Sequence, residues 1–109
     1  MKIHNIKKQG ESVWYLISHE GIGFVSVLKR EDQEEYQISE VSVIPGERRK
    51  GIGTTLIKEA EKLIQENGGT EVYLKVENKD VLEWFEKLGY SIIDRYKDYT
   101  ELMKILEMF

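Results

Sequence analysis

Residues Val41–Ile64, VSVIPGERRKGIGTTLIKEAEKLI, change character three times within one short stretch. Val41–Ile44 reads as the end of a strand, Pro45-Gly46 turns the chain, and Arg48, Arg49 and Lys50 set three cations in a row. Gly51 and Gly53 then open a segment in which Ile52, Leu56, Ala60 and Leu63 recur at helical spacing, with Ile57 and Ile64 beside them. Gly68-Gly69 ends that helix, whose length of about 25 Å is enough to cross a sheet. A loop that only reverses the chain needs neither the cations nor the paired glycines. The first turn of a helix carries free backbone N–H groups and a positive dipole end, and glycine lets an anion approach the backbone without meeting a Cβ. Cations on the lip add charge-assisted contacts. Strand, loop and helix together therefore predict a pyrophosphate site. Two better-known phosphate loops are excluded: Leu56 stands where a dinucleotide fingerprint needs its third glycine, and no Gly-Lys-Ser/Thr is present.

Before this stretch the sequence reads as a meander of strands, Val13–Ser18, Phe24–Leu28 and Tyr36–Ile44, separated by turn-like clusters at His19–Gly21 and Arg30–Gln33. Lys2–Lys8 is a weaker strand candidate, because Ile3 and Ile6 do not alternate cleanly. After the helix come a strand over Thr70–Val76 and a short helix with Val81, Leu82, Phe85 and Leu88 on one side and Gly89 as its stop. Two final strands, Tyr90–Asp94 and Glu101–Leu106, complete the order. Strands, helix, strand, helix, strands predict an α+β domain with a mixed sheet and at least one crossover.

A chain of 109 residues is expected to form a single domain with one core and one site. No apolar run approaches the roughly 20 residues of a membrane span, and the opening MKIHNIKKQGE lacks the apolar core of a signal peptide. A cytoplasmic protein is expected. The absence of cysteine excludes disulfides, thiolate metal sites and a cysteine nucleophile. A net charge of −4 argues against sequence-independent nucleic-acid binding, so polyanion recognition must be local, at Arg48–Lys50. His4 and His19 lack ligand spacing and read as surface residues; no metal site is expected.

Arg48-x-x-Gly51-x-Gly53 after a V-x-V-x-P strand resembles the acyl-CoA loop, Arg/Gln-x-x-Gly-x-Gly/Ala, of the GNAT superfamily of N-acetyltransferases. Downstream, NKDVLEWFEKLGY over Asn78–Tyr90 is similar to the family's Asn-x-x-Ala-x-x-x-Tyr-x-x-x-Gly-Phe segment, with Val81 for Ala, Phe85 for Tyr and Tyr90 for Phe. The likeness runs from about Phe24 to Leu106 and implies the GNAT-like fold, with a mostly antiparallel central sheet and two main helices. It implies acetyl-CoA as co-substrate, bound between the strands Tyr36–Ile44 and Thr70–Val76, which separate. By that analogy the backbone of Val41, Ser42 and Val43 pairs with the pantetheine arm. The pyrophosphate rests on the loop and first turn formed by Arg49, Lys50, Gly51, Ile52, Gly53 and Thr54, with Arg48 at its edge. Asn78 and Phe85 lie near the cofactor, and Asn78 also suits an N-cap.

The implied reaction is direct attack of a primary amine on the thioester. A lysine-like ammonium has a pKa near about 10.4, so only about one molecule in a thousand is neutral at pH 7 without a base. Glu40, on the separating strand and on the opposite face from Val41 and Val43, is the candidate; Tyr73, on the facing strand, is a second candidate for lining the acceptor site.

Two departures from the family pattern stand out. Phe85 replaces the tyrosine that commonly protonates the departing thiolate. The family's first helix pair, which helps to form the acceptor pocket, has no room in the KKQGE link between the first two strands. The resemblance therefore implies an open acceptor site, or one completed by a second subunit in a homodimer, on an exposed apolar sheet. A non-catalytic CoA-binding or ligand-sensing domain of the same fold is the alternative.

Overall fold

One extra residue in the fourth strand opens the middle of the sheet. The computed structural model describes residues 2–9, 12–30, 35–47 and 50–106. Its elements are β1 (Lys2–Gln9), β2 (Ser12–His19), β3 (Gly23–Arg30), β4 (Tyr36–Val43), α1 (Ile52–Glu66), β5 (Glu71–Val76), α2 (Leu82–Lys87), β6 (Ser91–Arg95) and β7 (Thr100–Ile105). The strands form one seven-stranded sheet in the order β1-β2-β3-β4-β5-β7-β6. Every neighbouring pair is antiparallel except β4 and β5, which the α1 crossover makes parallel.

β4 pairs with β3 as Val27↔Ile38 and then as Ser26↔Glu40, so Ser39 is a bulge. A bulge bends its strand and shifts the alternation by one position. Tyr36 and Ile38 face the core before it, and Val41 and Val43 pack against the same core after it. Without the extra residue, Glu40 would point inward. Pairing with β5 is confined to Tyr36↔Val72, Gln37↔Tyr73 and Ile38↔Leu74 and stops where the bulge begins. A second bulge, between Asn5 and Lys7, explains why the first strand shows no clean alternation.

Both helices lie on one face. The apolar stripe of α1, with Leu56, Ile57, Ala60 and Ile64 fully buried, packs on Ile17, Val25, Val27, Val72 and Leu102. Gly69 brings the chain back beneath it: a Cβ there would collide with Ile64 and lie 2.8 Å from the Tyr36 ring. Helix and sheet are tied by a buried polar cluster. The Tyr90 hydroxyl donates to Glu61 Oε2 at 2.8 Å, and Lys104 Nζ donates to Glu61 Oε1 at 3.1 Å and to the Leu88 carbonyl at 2.8 Å. Burial, and then the Glu61 carboxylate, push the Tyr90 phenol well above its ordinary pKa.

The other face carries half-buried Trp14, Leu16 and Phe24 with no helix of the described residues over them, and Ile105 at its end is 69% exposed. β1 and β2 are separated by two residues, which leaves no space for a helix pair between them. His19, expected at the surface, is half-buried. Among the described residues no helix is long and apolar enough to cross a membrane.

Candidate active site

Where β4 and β5 part, a cavity of about 310 Å³ opens between them. Ser39, Glu40 and Val41 line one side, Lys75, Val76 and Glu77 the other, and Asn78, Val81 and Phe85 close the inner end. A groove of about 600 Å³ meets it at Val41 and Val81 and continues past Ser42, Val43, Glu47, Gly53 and Trp84. The two adjoin at Val41 and Val81 beside β4, and the second reaches Gly53 in the first turn of α1.

That helix start leaves backbone donors free. Gly51 is the N-cap in the left-handed conformation, φ 79°, and it offers no side chain to cap the helix. The first intrahelical bond is Thr55 N–H to the Gly51 carbonyl at 3.0 Å, so the amides of Ile52, Gly53 and Thr54 precede the hydrogen-bonded ladder. No acidic residue lies in this first turn, and a Cβ on Gly51 would meet nothing within 4 Å. Lys50 lies beside it, paired with Glu47 at 2.9 Å. Arg48 and Arg49 lie outside the described residues.

Gly53 has a reason that the sequence did not disclose. Its absent Cβ would lie 3.3 Å from the Trp84 ring, so the space is taken by an indole. Trp84 Nε1 also donates to Thr54 Oγ1 at 3.1 Å. Nothing in the sequence marks Trp84 for the groove wall, because only the packing of α2 near α1 brings it there.

Asn78 caps the turn before α2, its Oδ1 accepting from the Asp80 N–H at 2.9 Å, and lines the cleft as well. Phe85, 5% exposed, stands at the cleft's inner wall with its ring edge-on to Tyr90. Glu40 is exposed at the mouth. Tyr73 is elsewhere: it sits where β4 and β5 are still paired, in a separate small depression with Arg30, Glu35 and Gln37. Its hydroxyl donates to Glu71 Oε2 at 2.8 Å. That bond, with burial and the nearby carboxylates, raises its pKa to about 12. The structure thus brings Glu40, Val41, Asn78 and Phe85 to one cleft and leaves Tyr73 out of it. Among the described residues no group of His, Cys, Asp and Glu could hold a metal ion.

Known proteins align with this arrangement. An uncharacterised N-acetyltransferase of Methanocaldococcus jannaschii is 29% identical over 108 residues, covering 91% of this chain and 48% of that protein. An uncharacterised N-acetyltransferase of Schizosaccharomyces pombe is 37% identical over 62 residues, covering 56% of this chain and 43% of that one. The chain spans about half the length of the curated relatives it matches. The crystal structure of the PaiA N-acetyltransferase of Thermoplasma acidophilum, in complex with coenzyme A, superposes with a TM-score of 0.74 at 22% identity, covering 88% of this chain and 62% of that one. At that identity the likeness concerns the fold. Residues 2–90 match the Acetyltransferase (GNAT) family, and with the split sheet and the glycine-opened helix beside two adjoining cavities, the chain belongs to that family.

Proposed function

We propose that the chain is an acetyl-CoA-dependent N-acetyltransferase that acetylates a primary amine by direct attack on the thioester. One observation carries the reading: the parting of β4 from β5 and the uncapped start of α1 open onto two adjoining cavities that share Val41 and Val81. The backbone donors there suit an extended thioester ending in a diphosphate. The amides of Ile52, Gly53 and Thr54 hold the diphosphate, with Lys50 and the neighbouring Arg48 and Arg49 supplying charge. The edge of β4 at Val41 and Ser42 offers backbone groups to the amide-bearing arm, as an added strand would. Val43, Asn78 and Phe85 form the walls of the cavities.

The bound co-substrate supplies an activated acetyl group. The acceptor enters at the mouth, where Glu40 draws the ammonium in and takes its proton, directly or through water. The new N–C bond forms as the C–S bond breaks. The thiolate leaves unprotonated past Phe85 and gains its proton from solvent. Tyr73, hydrogen-bonded to Glu71 in its separate depression, takes no part in the transfer in this reading. In this reading the protein acts in the cytoplasm, and a second copy covers the open sheet face.

Phe85 favours one competing account, a coenzyme-binding domain without catalysis. Thiol release measured over a panel of peptide amino termini, lysine side chains, polyamines and small amines separates the two. Transfer to at least one amine is expected; saturable coenzyme binding with no transfer to any of them would favour the binding domain.

A further inference from the structure

The start of α1 is held from outside by a residue of the second helix. Trp84, half-buried on α2, lies against Gly53 and donates its indole N–H to Thr54 Oγ1, 30 positions away in sequence. An indole nitrogen only donates, whereas a hydroxyl has one hydrogen to give and two lone pairs to accept with. Thr54 is therefore fixed as the acceptor in this bond, and its own hydrogen must go elsewhere. The neighbouring Thr55 hydroxyl is already committed to the Gly51 carbonyl at 2.9 Å. Accepting a hydrogen bond also polarises a hydroxyl and strengthens its donation. On the other side, the Trp84 ring packs on Phe85 with centroids 4.6 Å apart, so one side chain touches both the helix start and the residue walling the cleft.

We propose that Trp84 is a positioning residue for the coenzyme: it orients the Thr54 hydroxyl as a donor to the diphosphate at the start of α1, and Gly53 lacks a Cβ to let the indole reach that place. The proposal rests on the coenzyme reading above and adds to the backbone amides one side-chain donor with a fixed direction. It also makes the two helices respond together, because displacing the indole shifts the helix start and the Phe85 wall at once.

A double-mutant cycle read by calorimetry tests it, with coenzyme A and with pantetheine, which lacks the diphosphate, as probes. Trp84→Phe keeps a ring against Gly53 and removes the N–H; Thr54→Val removes the hydroxyl and keeps the shape. Each single variant is expected to bind coenzyme A roughly ten-fold more weakly, the scale of one hydrogen bond to a charged group. Pantetheine binding should be unchanged, and the double variant no weaker than Thr54→Val alone. Additive losses, or equal losses for both probes, would overturn the proposal. A spectroscopic arm covers a Trp84→Phe variant that fails to fold. In Trp14→Phe, Trp84 is the sole indole; its emission should change on saturation with coenzyme A and change much less when Thr54→Val is added. An indole unmoved by coenzyme A that calorimetry shows to be bound removes Trp84 from the site while leaving the coenzyme reading in place. No coenzyme binding by the unaltered protein overturns both.

Discussion

The residues around the two cavities differ in what they contribute, and single substitutions separate them. Glu40 is exposed at the mouth and touches no part of the groove at α1. Glu40→Gln should therefore lower turnover while coenzyme affinity, measured by calorimetry, stays the same. A fall in affinity alone would take Glu40 out of the mechanism. In the proposed mechanism Phe85 would leave the thiolate to depart unassisted, at a cost of about 2 kcal/mol for a thiol of pKa about 8.5 at neutral pH. Phe85→Tyr should recover part of that, raising turnover by up to about thirty-fold if the phenol reaches the sulfur. Steady-state kinetics checks it. Glu47 faces the groove and holds Lys50 at 2.9 Å, so its carboxylate opposes an incoming phosphate and occupies a cation that could meet it. Lys50 is 60% exposed, and an exposed pair is worth about 0.2–1 kcal/mol. Glu47→Gln should tighten coenzyme binding by about two- to five-fold at low salt, and the gain should vanish at high salt, where screening removes it.

At the scale of elements, most of the architecture was legible in the sequence. The periods of two and near four residues located β2 to β5, α1 and α2, and the paired glycines stopped α1 where they were expected to. The bulges were not legible, because one extra residue changes no composition and only reverses which side chains face inward. Ser39 is the plainest case: it decides where β4 leaves β5, yet nothing in YQISEVSVI marks it. The Glu61–Tyr90–Lys104 cluster was equally hidden, its members being far apart in the chain and brought together only by tertiary packing. Gly69 does more than the sequence showed. It stops the helix as read, its N–H donating to the Ile64 carbonyl at 2.8 Å, and it also passes closely under Tyr36 and Ile64. Gly69→Ala should cost roughly 1–3 kcal/mol through overpacking, measured by denaturant unfolding. The pH dependence of stability follows from the phenols. In the unfolded chain Tyr73 titrates near 10, and in the fold it does so near about 12. The folded state therefore binds more protons across that interval, so this contribution is complete below about pH 10 and is lost as pH rises towards 12. Thermal melts should show the decline, and Tyr73→Phe should make it shallower.

On the scale of the whole molecule, the chain has its family's sheet-and-helix architecture, and among the described residues one sheet face carries no helix. What the sequence could say of the site divides between coenzyme and acceptor. Glycines and cations beside a helix start have a distinct chemical signature, so Gly51 and Gly53 could be singled out before any fold was known. An acceptor site has no such signature, and Tyr73 was drawn in by its strand alone. Sedimentation at micromolar concentration should show a homodimer closing that face, and a monomer at all concentrations would leave the acceptor site open to solvent. The central claim concerns the start of α1 and can be tested without altering a residue. In an amide-resolved NMR titration with coenzyme A, the largest shifts are predicted at Gly51, Ile52, Gly53 and Thr54, with a second set at Val41 and Ser42 along β4. Saturation that leaves those amides unmoved, or that moves only residues away from the two cavities, would contradict the account.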